Sequence, residues 1–232
     1  MRGGGTQKRA GRRSAVKVDT LNESVISDIG HAFGYYNYGD ERGLIDAFPS
    51  RDAAAVFICG YVRMALRGGM LYATSERGEA YIAYRHSSEK LRPGAVLSLA
   101  KGLLSAMHGP RQASSLRREA AAIKALIRFA RIMASGEPGL DRRLNRERKP
   151  YIFVGLVCVR EEYQGQGYMR RVMDMAFAEG DRLQAPVILE TDAKSKCDKY
   201  VHLGMELAGI RKFGACGVLY DLIRYPSAHA GG

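Results

Sequence analysis

A chain of 232 residues, 46% of them hydrophobic, is long enough to bury one substantial core, and it contains no apolar run of bilayer length. The formal net charge of +12 favours negatively charged partners, such as a phosphorylated cofactor or nucleic acid. The cysteines show no CxxC spacing and the N-terminus lacks an apolar signal segment, so we expect a reduced, cytoplasmic protein without a disulfide framework or a zinc site.

The two ends of the chain are predicted to lie outside one folded domain, residues 19–226. Residues 1–18 are glycine-rich and basic, with no acidic residue before Asp19, and we expect a disordered tail. Residues 227–232 form a second, short tail. The basic tail carries no aromatic side chains on which bases could stack, so we expect no specific nucleic-acid partner, and we expect no membrane partner.

The front half of the chain predicts two helices followed by two strands. A capping-box spacing at residues 20–23 begins a helix that ends near Phe33. Ser50 caps a second helix, which ends near Leu66. Two β-rich runs, residues 70–74 and 80–85, then flank a turn that contains Gly78.

Residues 91–150 are predicted to form a helical insertion. One helix is marked by apolar residues at helical spacing from Val96 to Met107, and a longer one by those from Ile123 to Met133. Gly109 and Pro110 separate the two helices.

The rest of the chain is organised around residues 151–183. Residues 151–159 are an apolar, β-branched run typical of a buried strand, and helical spacing returns from Val172 to Leu183. Between them lies the glycine turn Gln164-Gly165-Gln166-Gly167-Tyr168-Met169. A strand, a glycine turn and a helix in this order point backbone N–H groups and the positive end of a helix at one spot, where an anion such as a pyrophosphate fits. By spacing alone, a plain strand-to-helix turn is an equally good interpretation.

Three segments in the same order resemble the GCN5-related N-acetyltransferases. Residues 164–169 resemble the family's Arg/Gln-x-x-Gly-x-Gly/Ala loop, residues 187–192 resemble its fifth strand, and residues 200–205 resemble its Tyr-x-x-x-Gly-Phe segment. The resemblance implies an α/β (α+β) fold with a central, mixed, mostly antiparallel splayed sheet flanked by helices. The helical insertion then falls between strands three and four, beside the acceptor cleft, and residues 206–213 and 218–225 form a closing hairpin.

The same resemblance implies acetyl-CoA as co-substrate, no metal, and direct transfer of the acetyl group to a primary amine of a small molecule. Strand-four backbone groups would pair with the pantetheine arm and the loop amides would hold the pyrophosphate. The implied cofactor-binding residues are Val157, Cys158, Val159, Gln164, Gly165, Gln166, Gly167, Tyr168, Met169 and Arg170.

Tyr200 matches the family tyrosine that protonates the departing sulfur, and a phenol suits this step because it is neutral at pH 7. We take Glu190 as the candidate general base, with Asp192, Glu161 and Glu162 as alternatives. The segment after the first helix would contact the acceptor. Its candidate residues are Tyr35, Tyr36, Tyr38 and Asp40.

Two other functions of a CoA-binding protein stay open, beside a nucleic-acid binder driven by the net charge of +12. A peptide or protein N-acetyltransferase would need an open groove in place of a pocket. A non-catalytic acyl-CoA-binding protein is the second alternative, because Met169 stands where the family has a final Gly or Ala and Lys196 stands where an Asn that contacts the cofactor often occurs. The sequence leaves open whether the protein forms a homodimer.

Overall fold

The computed structural model describes residues 16–107, 137–212 and 217–227 of the chain. The strands are β1 (Val16–Lys17), β2 (Leu71–Ala73), β3 (Ala80–His86), β4 (Ile152–Val159), β5 (Val187–Thr191), β6 (Glu206–Lys212) and β7 (Val218–Arg224). The helices are α1 (Glu23–Gly34), α2 (Arg51–Gly68), α3 (Pro93–Met107), α4 (Leu140–Arg146), α5 (Tyr168–Leu183) and α6 (Lys194–His202). Two short 3-10 helices cover Leu44–Ala47 and Glu161–Tyr163.

The strands form one sheet in the order β1-β2-β3-β4-β5-β7-β6. Every pair of neighbours is antiparallel except β4 and β5, which run parallel. This arrangement confirms the fold class expected from the sequence, a mixed and mostly antiparallel sheet flanked by helices. Among the described helices, none combines the length and the apolar character that a membrane span requires.

The parallel strands β4 and β5 separate after a short stretch of pairing. Only residues Ile152 to Val154 of β4 pair with β5, opposite Val187 to Leu189. The pairing with β5 stops next to Gly155, where β4 is also out of step with β3: Val154 pairs with Tyr84, while Leu156 pairs with Ala83. Gly155 is therefore the extra residue of a β-bulge, which bends the strand and increases its twist.

The bulge also changes the face of the sheet that β4 covers. Ile152 and Val154 pack into the core under α5, while Leu156 and Cys158 pack into the core under α1 and α2. In a regular strand these four residues would share one face, because side chains alternate with a period of two. Gly155 itself has no room for a side chain, since a Cβ would collide with the hydroxyl of Tyr61.

Local signals in the sequence predicted most elements to within a few residues. The hydroxyl of Ser50 accepts a hydrogen bond from the N–H of Ala53 at 3.1 Å, as a helix cap does. Helix α2 ends at Gly68 and is capped by Gly69, whose φ of 69° is left-handed. The strands β2 to β7 and the helices α1, α3, α5 and α6 also lie where the sequence predicted them.

Two regions differ from the sequence prediction. The expected disordered tail reached Val18, but Val16 and Lys17 form β1 and pair with Ala73 and Tyr72. The short helix α4 was not predicted. Its Leu140 and Leu144 are buried against the end of the sheet. The predicted helix from Ile123 to Met133 lies outside the described residues.

Helix α3 crosses α2 at a contact between two glycines. A Cβ added to Gly102 would lie 2.6 Å from the Cα of Gly60, and the reverse substitution meets the same obstacle. The absence of side chains at both positions therefore sets how closely the two helices approach.

We expect Gly102→Ala to lower the free energy of unfolding by about 1–3 kcal/mol, because the added methyl group meets backbone atoms that can only shift together with a helix. Gly94→Ala in the same helix is the matched control. Its Cβ has no neighbour within 4 Å, so the stability should stay equal or rise slightly. Chemical denaturation of the two variants measures the difference, and equal stability of the two variants would refute the close crossing of α2 and α3.

Candidate active site

A cavity of about 740 Å³ opens between the separated ends of β4 and β5. Its lining comes from β4 and β5, the turn before α5, helix α6, and a wall formed by α1, the Leu44–Ala47 helix and α2. None of the described residues of the helical insertion lines this cavity, and α3 packs against α2.

One end of the cavity is the turn that leads into α5. Gly165 and Gly167 have φ angles of 74° and 78°, which a residue with a side chain adopts only with strain. From Gly165 to Arg170, no backbone N–H group has an acceptor in good geometry among the described residues. The side-chain amide of Gln166 donates to the carbonyl of Glu162 at 2.9 Å, which braces the turn. The result is a set of free amides at a helix N-terminus, where an anion binds well.

The middle of the cavity is the open edge of β4. From Gly155 to Val159 the edge that faces β5 has no strand partner among the described residues, while the other edge pairs with β3. Val157, Cys158 and Val159 all line the cavity. Burial, with a smaller contribution from the charge of Asp28, raises the pKa of the Cys158 thiol to about 12, so this cysteine is protonated at neutral pH.

Tyr200 lies on α6 and is 8% exposed. It lines the cavity, and its hydroxyl makes no hydrogen bond to any described residue. Since no buried side-chain oxygen of the described residues is both enclosed and unpaired, this hydroxyl opens into the cavity. Burial, followed by the negative charge of Asp192, raises the pKa of Tyr200, so the phenol stays protonated and can donate a proton.

Glu190, on β5, lines the cavity and is paired with an arginine. Its Oε1 lies 2.5 Å from Nη2 of Arg211. Nε of the same arginine donates to both carboxylate oxygens of Asp221, at 3.0 and 3.1 Å. Burial raises the pKa of Glu190 above its ordinary value, although the charge of Arg211 acts in the opposite direction. No described group donates to Oε2 of Glu190, so this oxygen can accept a proton.

Both carboxylate oxygens of Asp192, two residues after Glu190, accept hydrogen bonds. Its Oδ2 accepts hydrogen bonds from the hydroxyl of Tyr38 at 2.6 Å and from the N–H of Leu44 at 2.8 Å. Its Oδ1 accepts from Nζ of Lys196 at 2.8 Å. Burial alone would raise the pKa of Asp192, but Lys196 and the hydrogen bonds lower it below its ordinary value. Asp192 is therefore held as a carboxylate.

Most residues that the sequence assigned to the cofactor come together along the cavity. Two do not line it: Gln166, and Arg170, whose guanidinium donates to the carbonyl of His202 at 3.2 Å and so links α5 to α6. Met169 lines the cavity and packs against the core under α5.

Only some of the residues predicted to contact the acceptor line the cavity. Tyr36 lines the cavity, and so does Tyr38. Tyr35 and Asp40 do not line it. Tyr35 stacks on His31, and its hydroxyl donates to Asp52 at 2.5 Å, because the chain leaves α1 with this side chain turned toward the start of α2.

Some residues that line the cavity were not predicted from the sequence. Phe57 and Tyr61 of α2 form part of the wall, and burial raises the pKa of Tyr61 to about 12. Their helical spacing is that of an ordinary core face, so the sequence offers no signal that separates cavity from core. Gly155 within an apolar strand was a usable signal, since an interior glycine often marks a bulge.

Comparison with known proteins gives a weak structural likeness. No family model and no curated relative matches the sequence. A Corynebacterium glutamicum protein described as a histone acetyltransferase and related acetyltransferase has 11% identity and a TM-score of 0.49, with 94% of this chain and 99% of that chain covered. The corresponding values for a Drosophila melanogaster polyamine N-acetyltransferase are 12%, 0.44, 91% and 98%. For arylalkylamine N-acetyltransferase 2 from Aedes aegypti they are 10%, 0.46, 89% and 96%. All three TM-scores are below 0.5, so the assignment of the fold rests on the strand order, the parallel pair and the separation of β4 from β5.

Proposed function

We propose that this chain is an acetyl-CoA-dependent N-acetyltransferase of the GCN5-related class, which transfers the acetyl group directly to a primary amine of a small molecule. The observation that carries the proposal is one continuous cavity. It connects the free amides before α5 with the protonated hydroxyl of Tyr200, along the open edge of β4.

The two ends of a CoA thioester suit the two features of this cavity. The N–H groups of the turn residues that line the cavity, from Gly165 to Met169 apart from Gln166, would hold the pyrophosphate, whose charge the N-terminus of α5 favours. The backbone of β4 on the edge that faces β5, between Val157 and Val159, would pair with the amide groups of the pantetheine arm as an added strand does. The N–H groups have no described acceptor, and this edge of β4 has no described strand partner, although the carbonyl of Val159 accepts a hydrogen bond from the side-chain amide of Gln164 at 3.4 Å. Buried backbone groups without partners are costly unless a ligand or water satisfies them.

The residues beyond the open edge can carry out the transfer. Glu190 would take a proton from the amine through Oε2, directly or through a water molecule, because Arg211 occupies Oε1. A free N–H group of β4 would stabilise the oxyanion of the tetrahedral intermediate. Tyr200 would then give its proton to the sulfur as the thiolate departs. Cys158 takes no part as a nucleophile, because its thiol stays protonated.

The shape of the cavity favours a small acceptor over a peptide. Side chains of α1, the Leu44–Ala47 helix and α2 line the acceptor side, and among them are Phe33, Ile45 and Phe57. A peptide or protein substrate would need an open groove at this position. A protein that only bound acyl-CoA would have no need of an unpaired phenol at the reacting end.

We expect Gly167→Val to weaken the binding of CoA by at least about tenfold. A β-branched residue is strained at a φ of 78°, and relief of that strain turns the amides away from the anion. Calorimetric titration with CoA measures the affinity. Gly39→Val is the control, since Gly39 also has a left-handed φ with open space around it but lies outside the turn. Equal affinities of the two variants would remove the phosphate site from the proposal.

We expect Tyr200→Phe to lower kcat by about a hundredfold, because the departing thiolate loses its proton donor, while the affinity for CoA stays within about twofold. Thiol release from acetyl-CoA with a panel of small amines measures the rate. Tyr220→Phe is the matched control, since Tyr220 is buried in the same core but does not line the cavity. Full turnover by the Tyr200 variant would rule out Tyr200 as the proton donor.

We expect Glu190→Gln to lower kcat/KM at pH 8 and to change its dependence on pH. Burial raises the pKa of Glu190 above 4.5, so the wild-type base is ionised above that raised pKa and is lost as the pH falls through it. The ratio of wild-type to variant kcat/KM should therefore decline toward acidic pH. The amine ionises equally in both assays, so its own ionisation does not affect this ratio. A ratio that does not change with pH would exclude Glu190 as the base.

A further inference from the structure

Lys196 occupies a cage of aromatic rings and a carboxylate. Its Nζ lies 4.1 Å from the ring centroid of Tyr36 and 4.5 Å from that of Tyr38. The same nitrogen donates to Oδ1 of Asp192 at 2.8 Å and to the hydroxyl of Tyr38 at 3.1 Å. Two ring faces and an anion around one ammonium group are the elements with which proteins bind organic cations.

The cage belongs to the acceptor part of the cavity. All four of its residues line the cavity, and Lys196 lies one helical turn before Tyr200 on α6. The side chains of Lys196 and Asp192 are only 17% and 12% exposed. Charges so little exposed are screened less than charges at the surface, so the ammonium group acts strongly on any other charge that enters.

Each acidic residue of the described lining already has a cationic partner. The two acidic residues are Glu190 and Asp192, and Arg211 and Lys196 pair with them. Much of the remaining wall on the acceptor side is apolar, from Phe33, Phe48, Phe57 and Ile58. A bound amine with one charge and an apolar body suits these surroundings, while a second ammonium group would meet Lys196.

We propose that Lys196 is a specificity-determining residue: its ammonium group fills the cation cage of Tyr36, Tyr38 and Asp192, so that the cavity accepts apolar monoamines and excludes diamines and polyamines. This inference rests on the proposed acetyltransferase function. Removal of the lysine charge leaves the cage vacant and Asp192 unpaired, and a diamine can then place its second ammonium group there.

The test compares pentylamine with cadaverine, which have the same carbon chain and differ by one amino group. We expect the wild type to show a kcat/KM at least about tenfold higher for pentylamine, since about tenfold is what one modest charge interaction contributes. Lys196→Gln should raise the ratio of cadaverine to pentylamine by about tenfold or more. Lys196→Arg keeps the charge and should keep the discrimination.

Lys194→Gln is the matched control. It makes the same change on the same helix, but Lys194 pairs with Asp198 and does not line the cavity, so both rates should stay unchanged. Thermal unfolding checks that each variant folds. If Lys196→Gln does not fold, Lys196→Met, with an apolar chain that can occupy much of the same space, replaces it. Equal rates of the wild type with the two amines, or an unchanged ratio in the lysine variants, would overturn the inference.

A calorimetric titration of the two amines, without acetyl-CoA, separates this inference from the proposed function. If no amine releases thiol in the wild type, the acetyltransferase proposal fails, while the binding of cadaverine still decides the role of the cage. Tighter binding of cadaverine by Lys196→Gln than by the wild type supports the cage, and equal binding refutes it.

Discussion

The separation of β4 from β5 is the feature on which the rest of the site depends, and its origin is a single bulged residue. Gly155 lets β4 pair with β5 over its first residues and then turn away. The same bulge moves Leu156 and Cys158 to the opposite face of the sheet from Val154. Without it, β4 and β5 could continue to pair, their backbone groups would satisfy each other, and no interior cavity would remain between them.

In the described lining of the cavity, each acidic side chain has its own cationic partner, and this pairing gives the two carboxylates different roles. Glu190 keeps one oxygen free beside Arg211, whereas Asp192 has both oxygens engaged by Tyr38, Leu44 and Lys196. A carboxylate with a raised pKa and a free oxygen can act as a base, while one held by three donors serves as a fixed negative charge. The formal charge of +12 on the chain thus says little about the site, where opposite charges are paired.

Elements that depend on near neighbours could be predicted from the sequence. The cap at Ser50, the glycine stop after α2 and the strand, turn and helix around Gly165 and Gly167 all follow from contacts within a few residues. The roles of the tyrosines after α1 could not be predicted in the same way. Tyr35 and Tyr36 are adjacent and chemically identical, and only the packing of α1 against α2 turns one away from the cavity and the other into it.

The sequence by itself determined the order of the elements and the run of amides at the start of α5, because backbone conformation at glycines and helix ends is a local property. Only the tertiary structure decided which side chains meet in the cavity. The hydrogen bond between Tyr38 and Asp192 joins residues 154 positions apart, and the ion pair of Glu190 with Arg211 crosses from β5 to β6. No pattern along the chain encodes such contacts, because they depend on the bend of β4 and on how the helices pack across the sheet.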